Sequence, residues 1–259
     1  MSASRPEFAG KRALITGGTQ GIGKAIAWRL ARQGVSVQLN YAHNRAAAEE
    51  TEAEIRAAGH SVQLWETDLG DEAATTQMIR DVLAGGPLDL VVCNASYQEK
   101  KSFFDTDADL LNRTLAVNLR ANFQVIQATA RALIAAGRGG RMVICSSGHG
   151  RLVFQGTFAY DVSKAGLNHL MRNAALELIG HNIRLNALEI GWTHTPGERR
   201  WFTEEEQTEL ARSIPIGRAA QPDEMAAVLE FLLSDEAAYV VGALYSADGG
   251  FALRPNPST

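Results

Sequence analysis

Lys11-Arg-Ala-Leu-Ile-Thr16, Gly17-Gly-Thr-Gln-Gly-Ile-Gly23, Lys24-Ala-Ile-Ala-Trp-Arg-Leu-Ala31: a strand-length apolar run, a glycine turn and a helical repeat follow one another without a gap. Glycines let the backbone come close to an anion, and a helix start offers free amides and positive potential to it. Strand, turn and helix in this order are what make a glycine motif informative. Gly17, Thr19, Gln20, Gly21, Ile22 and Gly23 are therefore candidates to cradle a dinucleotide pyrophosphate. The spacing is Gly-x-x-x-Gly-x-Gly.

The same alternation continues outward. Strands are expected over 35–40, 61–66, 88–93, 141–146, 183–190 and 243–246. Helices are expected over 46–58, 72–83, 160–179 and 222–234, with two helical patterns in 107–136 and a short helix opening at the capping box Thr203-x-x-Glu206. The run 88–93 is apolar throughout, as in a strand covered on both faces of a parallel sheet. Right-handed crossovers then lead to an α/β fold, a doubly wound, parallel, seven-stranded Rossmann-type sheet with helices on both faces. A single domain over 1–259 is expected, with tails at 1–9 and 252–259 and a substrate loop at 191–215.

Composition narrows the function. The 259 residues carry a net charge of −4 and 46% hydrophobic content, enough for a sizeable core and too acidic for a nucleic-acid footprint. No apolar run approaches the 18 or more residues of a membrane span, and the polar N-terminus has no leader-like stretch. A cytoplasmic protein with no membrane partner is expected. Cys93 and Cys145 lie in strand-like runs without a Cys-x-x-Cys, and the six His show no ligand spacing, so neither a disulfide nor a metal is assigned.

The chemistry sits after the fifth strand. Tyr160 and Lys164 are four positions apart and share a face if their segment is helical. A free phenol releases its proton only near pH 10; reaching about 7 takes roughly 4 kcal/mol of differential stabilisation. A cation within about 4–6 Å works in that direction, which makes Tyr160 a candidate general acid or base tuned by Lys164. Ser147 is placed to hydrogen-bond the same substrate oxygen. Alone, the Tyr and Lys are equally a solvated pair on a helix face.

At the end of the second strand, Asn40, Tyr41 and His43 are candidates for the cofactor's ribose. An acid here would hold the ribose diol of NAD and repel the phosphate of NADP. None occurs between Val35 and Ala48, and His43 and Arg45 are close by, so NADP(H) is favoured with NAD(H) possible. Asp68, followed by Leu69, is either a helix cap or a cofactor contact. Asn94, Ala95 and Ser96 follow the fourth strand at its carboxyl end, where open α/β sheets bind ligands. Asn118, among apolar neighbours, has a structural alternative in bonding nearby backbone.

These residues resemble the short-chain dehydrogenase/reductase family, and the match covers nearly the whole chain. The resemblance rests on residues 16–23, Asp68, Asn94-Ala95, Asn118, Ser147, Tyr160 with Lys164, Ile183-Arg184-x-Asn186-Ala187, Thr193-His194-Thr195-Pro196, Pro215-x-Gly217-Arg218 and Asp248-Gly249-Gly250. It implies Tyr160 as acid/base, Ser147 steadying the reacting oxygen, and Lys164 tuning Tyr160 while holding the nicotinamide ribose. It implies a water relay through Asn118, an adenine contact at Asp68, a cofactor cleft lined by Asn94, and Gly191, Thr193 and Thr195 beside the nicotinamide or pyrophosphate. It also implies a homotetramer. Three positions depart from the family pattern: Ser96 and Ile190 stand where glycine and proline are usual, and Gln20 where many NADP users carry Arg.

The reading is hydride transfer between NADP(H) and a small carbonyl or secondary-alcohol substrate. An NAD-preferring sugar or polyol dehydrogenase and a non-catalytic dinucleotide sensor are the alternatives. Tyr97, His149, Arg151, Phe154 and Gln155 are candidates to shape the substrate pocket, with Trp192, Arg199, Arg200, Trp201 and Phe202 from the long loop.

Overall fold

The structure, a computed structural model, describes residues 5–197 and 203–253. Arg199, Arg200, Trp201 and Phe202 lie outside the described residues.

The chain alternates strand and helix. Strands β1 (Arg12–Thr16), β2 (Ser36–Tyr41), β3 (Val62–Glu66), β4 (Leu90–Cys93), β5 (Gly140–Ser147), β6 (Ile183–Ile190) and β7 (Leu244–Ala247) form one parallel sheet in the order β3-β2-β1-β4-β5-β6-β7. The helices are α1 (Gly21–Arg32), α2 (Arg45–Ala57), α3 (Glu72–Ala84), α4 (Ala108–Leu115), α5 (Ala121–Ala135), α6 (Phe158–Leu178), α7 (Glu204–Ser213) and α8 (Pro222–Leu233). The expected α/β, doubly wound, single-domain architecture is the one found.

Side chains of successive strand residues leave opposite faces of a sheet, and the core divides accordingly. Ala13 and Ile15 join Leu30 of α1 and Leu229 of α8 on one side. Leu14 joins Val82 of α3, Leu133 of α5 and Met171 of α6 on the other. Both sides are covered, which is why β4 reads as an unbroken apolar run rather than an alternating one. Strand order reverses between β1 and β4, and crossovers leaving in opposite directions open a crevice at their carboxyl ends. The glycine turn leaves β1 there, and Asn94 leaves β4 beside it.

The structure refines several local expectations. The two helical patterns in 107–136 are α4 and α5, and what the sequence did not indicate is the π turn, Ala116–Arg120, that joins them and holds Asn118. Asp68 does not cap α3; Asp71 does, accepting from the Ala74 N–H at 2.9 Å. Within the expected tails, Pro6–Phe8 forms a 3-10 turn with Phe8 fully buried, and Phe251–Leu253 forms another. At the Ile190 departure the strand stays paired: Ile190 registers with Ala247, and the Gly191 N–H donates to the Ala247 oxygen at 2.9 Å. The capping box of α7 is present at Thr203 and Glu206.

Candidate active site

Two loops and one helix converge beyond the ends of β4, β5 and β6. They enclose a cleft of about 430 Å³ lined by Ser147, Tyr160 and Lys164, with Asn94, Ser96, Ile22, Gly191, Thr193 and Thr195 from the cofactor candidates. Ser147 ends β5, and Tyr160 and Lys164 stand one turn apart on α6. Lys164 is almost wholly buried, and its ammonium donates to the Cys145 carbonyl at 3.0 Å. That anchor leaves Nζ 5.4 Å from the centre of the Tyr160 ring. The Cys145 thiol is pushed up to about 12 by burial, against the pull of Lys164, so it stays protonated and inert.

Asn118 is fully buried in the π turn. Its Oδ1 accepts from the Tyr97 N–H at 2.7 Å, and its Nδ2 donates to the Tyr97 carbonyl at 2.8 Å and the Ser163 Oγ at 2.9 Å. Its own carbonyl accepts from Asn122 Nδ2 at 2.7 Å. These bonds occupy the side chain on structural partners. Asn118 stands among the groups that position α6, and no direct bond joins it to Lys164.

The glycine turn is built for close approach. Gly17 and Gly21 have φ of +60° and +53°, where a side chain is strained. A Cβ on Gly23 would collide with the Gly17 carbonyl oxygen and lie 2.7 Å from the Asn94 amide nitrogen. Asn94 Nδ2 donates to the Thr16 and Gly17 carbonyls at 3.1 and 2.9 Å, while Thr16 Oγ1 accepts from the Asn94 and Ala95 amides. Helix α1 has no side-chain cap and no acid in its first turn, whereas Asn44, Asp71, Asp107 and Thr203 cap α2, α3, α4 and α7. Free amides on a side-chain-free cradle fit a dinucleotide pyrophosphate. Thr195 closes the cradle from the far side, its Cβ 3.3 Å from where a Cβ on Gly21 would lie. Gln20 is exposed at the helix start, and Thr19 is buried with its carbonyl accepting from Thr51 Oγ1 at 2.9 Å.

The expected ribose contacts divide. Asn40 is buried: its Nδ2 donates to the Tyr41, Trp65 and Thr67 carbonyls and its Oδ1 accepts from the Gly17 N–H, so the side chain braces the turn. The Leu69 side chain packs into the core with Met78 and Val82, which leaves only its backbone for a polar contact. Thr193 Oγ1 donates to the Gly191 carbonyl, although the residue still lines the cleft. Tyr41 is mostly buried and donates to Glu66 Oε2 at 3.1 Å, while His43 is exposed. Glu66 also pairs with Arg45. Reading β2 alone could not find this acid, because it arrives on the neighbouring strand, where Glu66 registers with Tyr41.

Arg113 is a second partner that spacing did not indicate. It donates to Asp68 Oδ1 at 2.8 Å, beside the Gly70 N–H at 2.9 Å, and lies 5.4 Å over the Tyr97 ring. Burial alone would raise the Asp68 carboxyl, but these two donors outweigh it and hold it below the usual carboxylate range. Among the pocket candidates, His149, Phe154 and Gln155 line the cleft, and Arg151 pairs with the buried Glu189 at 3.2 Å. Asp161, which binds His149 at 2.6 Å, was not singled out in the sequence; its place one residue past Tyr160 was the available signal. Among the described residues no cluster could hold a metal, and no helix is long and apolar enough to cross a membrane.

A family model described as Enoyl-(Acyl carrier protein) reductase matches residues 17–252. A short-chain dehydrogenase/reductase of Armillaria gallica is 37% identical, over 97% of this chain and 99% of the relative. The chain belongs to the short-chain dehydrogenase/reductase family. Another family member, an L-rhamnose 1-dehydrogenase (NAD(P)(+)) of Sphingomonas, is 34% identical over 95% of this chain and 97% of its own. A crystal structure from Beutenbergia cavernae that holds NADP at low occupancy, 30% identical, superposes with a TM-score of 0.88 over 95% of this chain and 98% of that one. As a family member this protein is an NAD(P)-dependent oxidoreductase acting on CH–OH and C=O groups.

Proposed function

We propose that the protein interconverts a carbonyl and a secondary alcohol with NADP(H), and that Tyr160 is the general acid/base. The observation that carries this reading is the convergence of Ser147, Tyr160 and buried Lys164 on one cleft beside the glycine turn. A bound nicotinamide supplies or accepts the hydride. In the reductive direction Tyr160 gives its proton to the carbonyl oxygen, and the Ser147 hydroxyl donates a hydrogen bond to the same oxygen. Lys164, pinned by Cys145, keeps a positive charge beside the phenol and so favours the phenolate left behind. Asn118 keeps α6 in register by holding Ser163 and the Tyr97 backbone.

Arg45 at the start of α2 and the lack of an acid at the end of β2 support NADP over NAD. Glu66 supports the second reading, an NAD-preferring sugar or polyol dehydrogenase, because its carboxylate lies beside Tyr41 and occupies Arg45. A non-catalytic sensor would not need the complete Ser, Tyr and Lys set. Exposed Phe123 and Ile134 of α5 and Val162 and Leu176 of α6 support the homotetramer, which light scattering would test. A cytoplasmic location stays part of this proposal.

The deciding experiment is Tyr160→Phe. Turnover is expected to vanish while cofactor binding, followed by fluorescence titration, persists; undiminished turnover would refute the assignment. Kinetics of the wild-type protein with each cofactor separate the NADP and NAD readings.

A further inference from the structure

His149 is a half-buried imidazole in the cleft that the proposed chemistry does not use. Its ring meets the Tyr160 ring edge-on, with centres 5.1 Å apart, and packs against Phe154 at 4.1 Å. The His149 backbone N–H donates to Ser147 Oγ at 3.4 Å, so the residue neighbours both groups that hold the reacting oxygen. Its Nδ1 lies 2.6 Å from Asp161 Oδ1.

The role of Asp161 decides the tautomer. Its carboxylate also accepts from Thr157 Oγ1 at 2.8 Å and from the Phe154 N–H at 3.1 Å. A carboxylate is an acceptor only, so the proton belongs on Nδ1 of His149. Burial lowers the imidazole below its ordinary range against the opposing pull of Asp161, which keeps it neutral. The remaining ring nitrogen, Nε2, is then a fixed acceptor, and what an acceptor selects is a hydroxyl.

We infer that His149 reads a hydroxyl one or two carbons from the reacting carbon, and that the substrates are polyhydroxylated carbonyls and alcohols rather than simple ketones. This rests on the cleft being the reaction site proposed above. Other lining groups agree. The side chains of Ser96, Gln98 and Gln155 line the cleft and find no hydrogen-bond partner among the described residues, so they are available to further hydroxyls. Arg151, the nearest cation in sequence, is engaged with Glu189 and does not line the cleft, whereas Lys100 does.

The test compares kcat/KM for 3-hydroxybutan-2-one and butan-2-one with saturating NADPH, and again with NADH. The wild-type protein is expected to favour the hydroxyketone. His149→Phe keeps the ring packing and removes the acceptor, and should cut that ratio by about fivefold, the worth of one hydrogen bond. His149→Gln, whose Oε1 reaches about as far as Nε2, should keep most of the ratio; His149→Asn, which reaches only as far as Nδ1, should lose it. The Gln and Asn pair decides the matter if His149→Phe does not fold, as thermal melting would show. A wild-type ratio near one, an unchanged ratio in His149→Phe, or equal loss on both ketones would overturn the inference. Failure of the catalytic reading looks different: Tyr160→Phe would then retain turnover whatever the ratio.

Discussion

Asn118 Nδ2 donates to Ser163 Oγ at 2.9 Å, and Ser163 donates in turn to the Tyr160 carbonyl at 2.7 Å. A wide turn between α4 and α5 is thereby tied to the first turn of α6. Asn118→Ala removes three side-chain hydrogen bonds and leaves both polar groups of the Tyr97 backbone unpaired. At about 1 kcal/mol each, that amounts to roughly 3 kcal/mol of stability. Urea denaturation is expected to show this loss, together with a fall in kcat.

Lys164→Met preserves the length of the side chain and deletes its charge. The Cys145 carbonyl loses its donor and the Tyr160 ring loses its cation. Because positioned acid/base groups contribute about 10²–10⁴-fold, kcat/KM should drop within that range. Steady-state assays check this, and a drop of less than threefold would contradict the role given to Lys164.

Gly23→Ala forces a methyl into the Gly17 carbonyl and the Asn94 amide. The cradle must open, so dinucleotide affinity measured by fluorescence titration should weaken more than tenfold, an effect of about 1.4 kcal/mol or more. Gly180→Ala is the control. It has open space around its would-be Cβ, and its stability should change by less than about 0.5 kcal/mol.

Glu66→Gln releases Arg45 from its ion pair and removes a negative charge next to Tyr41. Cofactor titrations should show affinity shifting several-fold toward NADP relative to NAD. The shift should shrink as salt is raised, because both charges are solvent-exposed and screened. No change in relative affinity would mean that the 2′-phosphate lies elsewhere.

His149 contributes a pH dependence with a definite sign. Burial depresses its imidazole below the ordinary 6.5. Above that value folded and unfolded chains are both neutral there, and the full contribution is present. As pH falls below 6.5, the unfolded chain takes up a proton that the folded one resists, and stability is lost until the folded imidazole also titrates. Melting temperatures of the wild-type protein should therefore fall more steeply below pH 6.5 than those of His149→Phe. Parallel curves would contradict the buried neutral imidazole.

Much of this protein was legible in one dimension. Apolar runs of four to six residues separated by 3.6-periodic segments allow little besides a parallel sheet covered on both sides. A glycine turn between the first strand and helix, and Tyr160 four residues before Lys164 on a helix, are local patterns that survive folding unchanged. They pointed to the crevice and to the residues that line it, and the family comparisons agree on the class of reaction.

What only the tertiary structure decided are pairings between residues far apart in the chain. Nothing local distinguishes an Asn40 that turns inward to bond Trp65 and Thr67 from one that faces a ribose. The same holds for Arg113 on Asp68, Glu66 beside Arg45, and Asn118 spent on Tyr97 and Ser163. Periodicity reports which face of an element is buried, whereas the partner of a polar side chain depends on sheet register and helix docking. That is why fold and chemistry could be read from order and spacing, while the Asp161 contact that fixes the His149 tautomer required three dimensions.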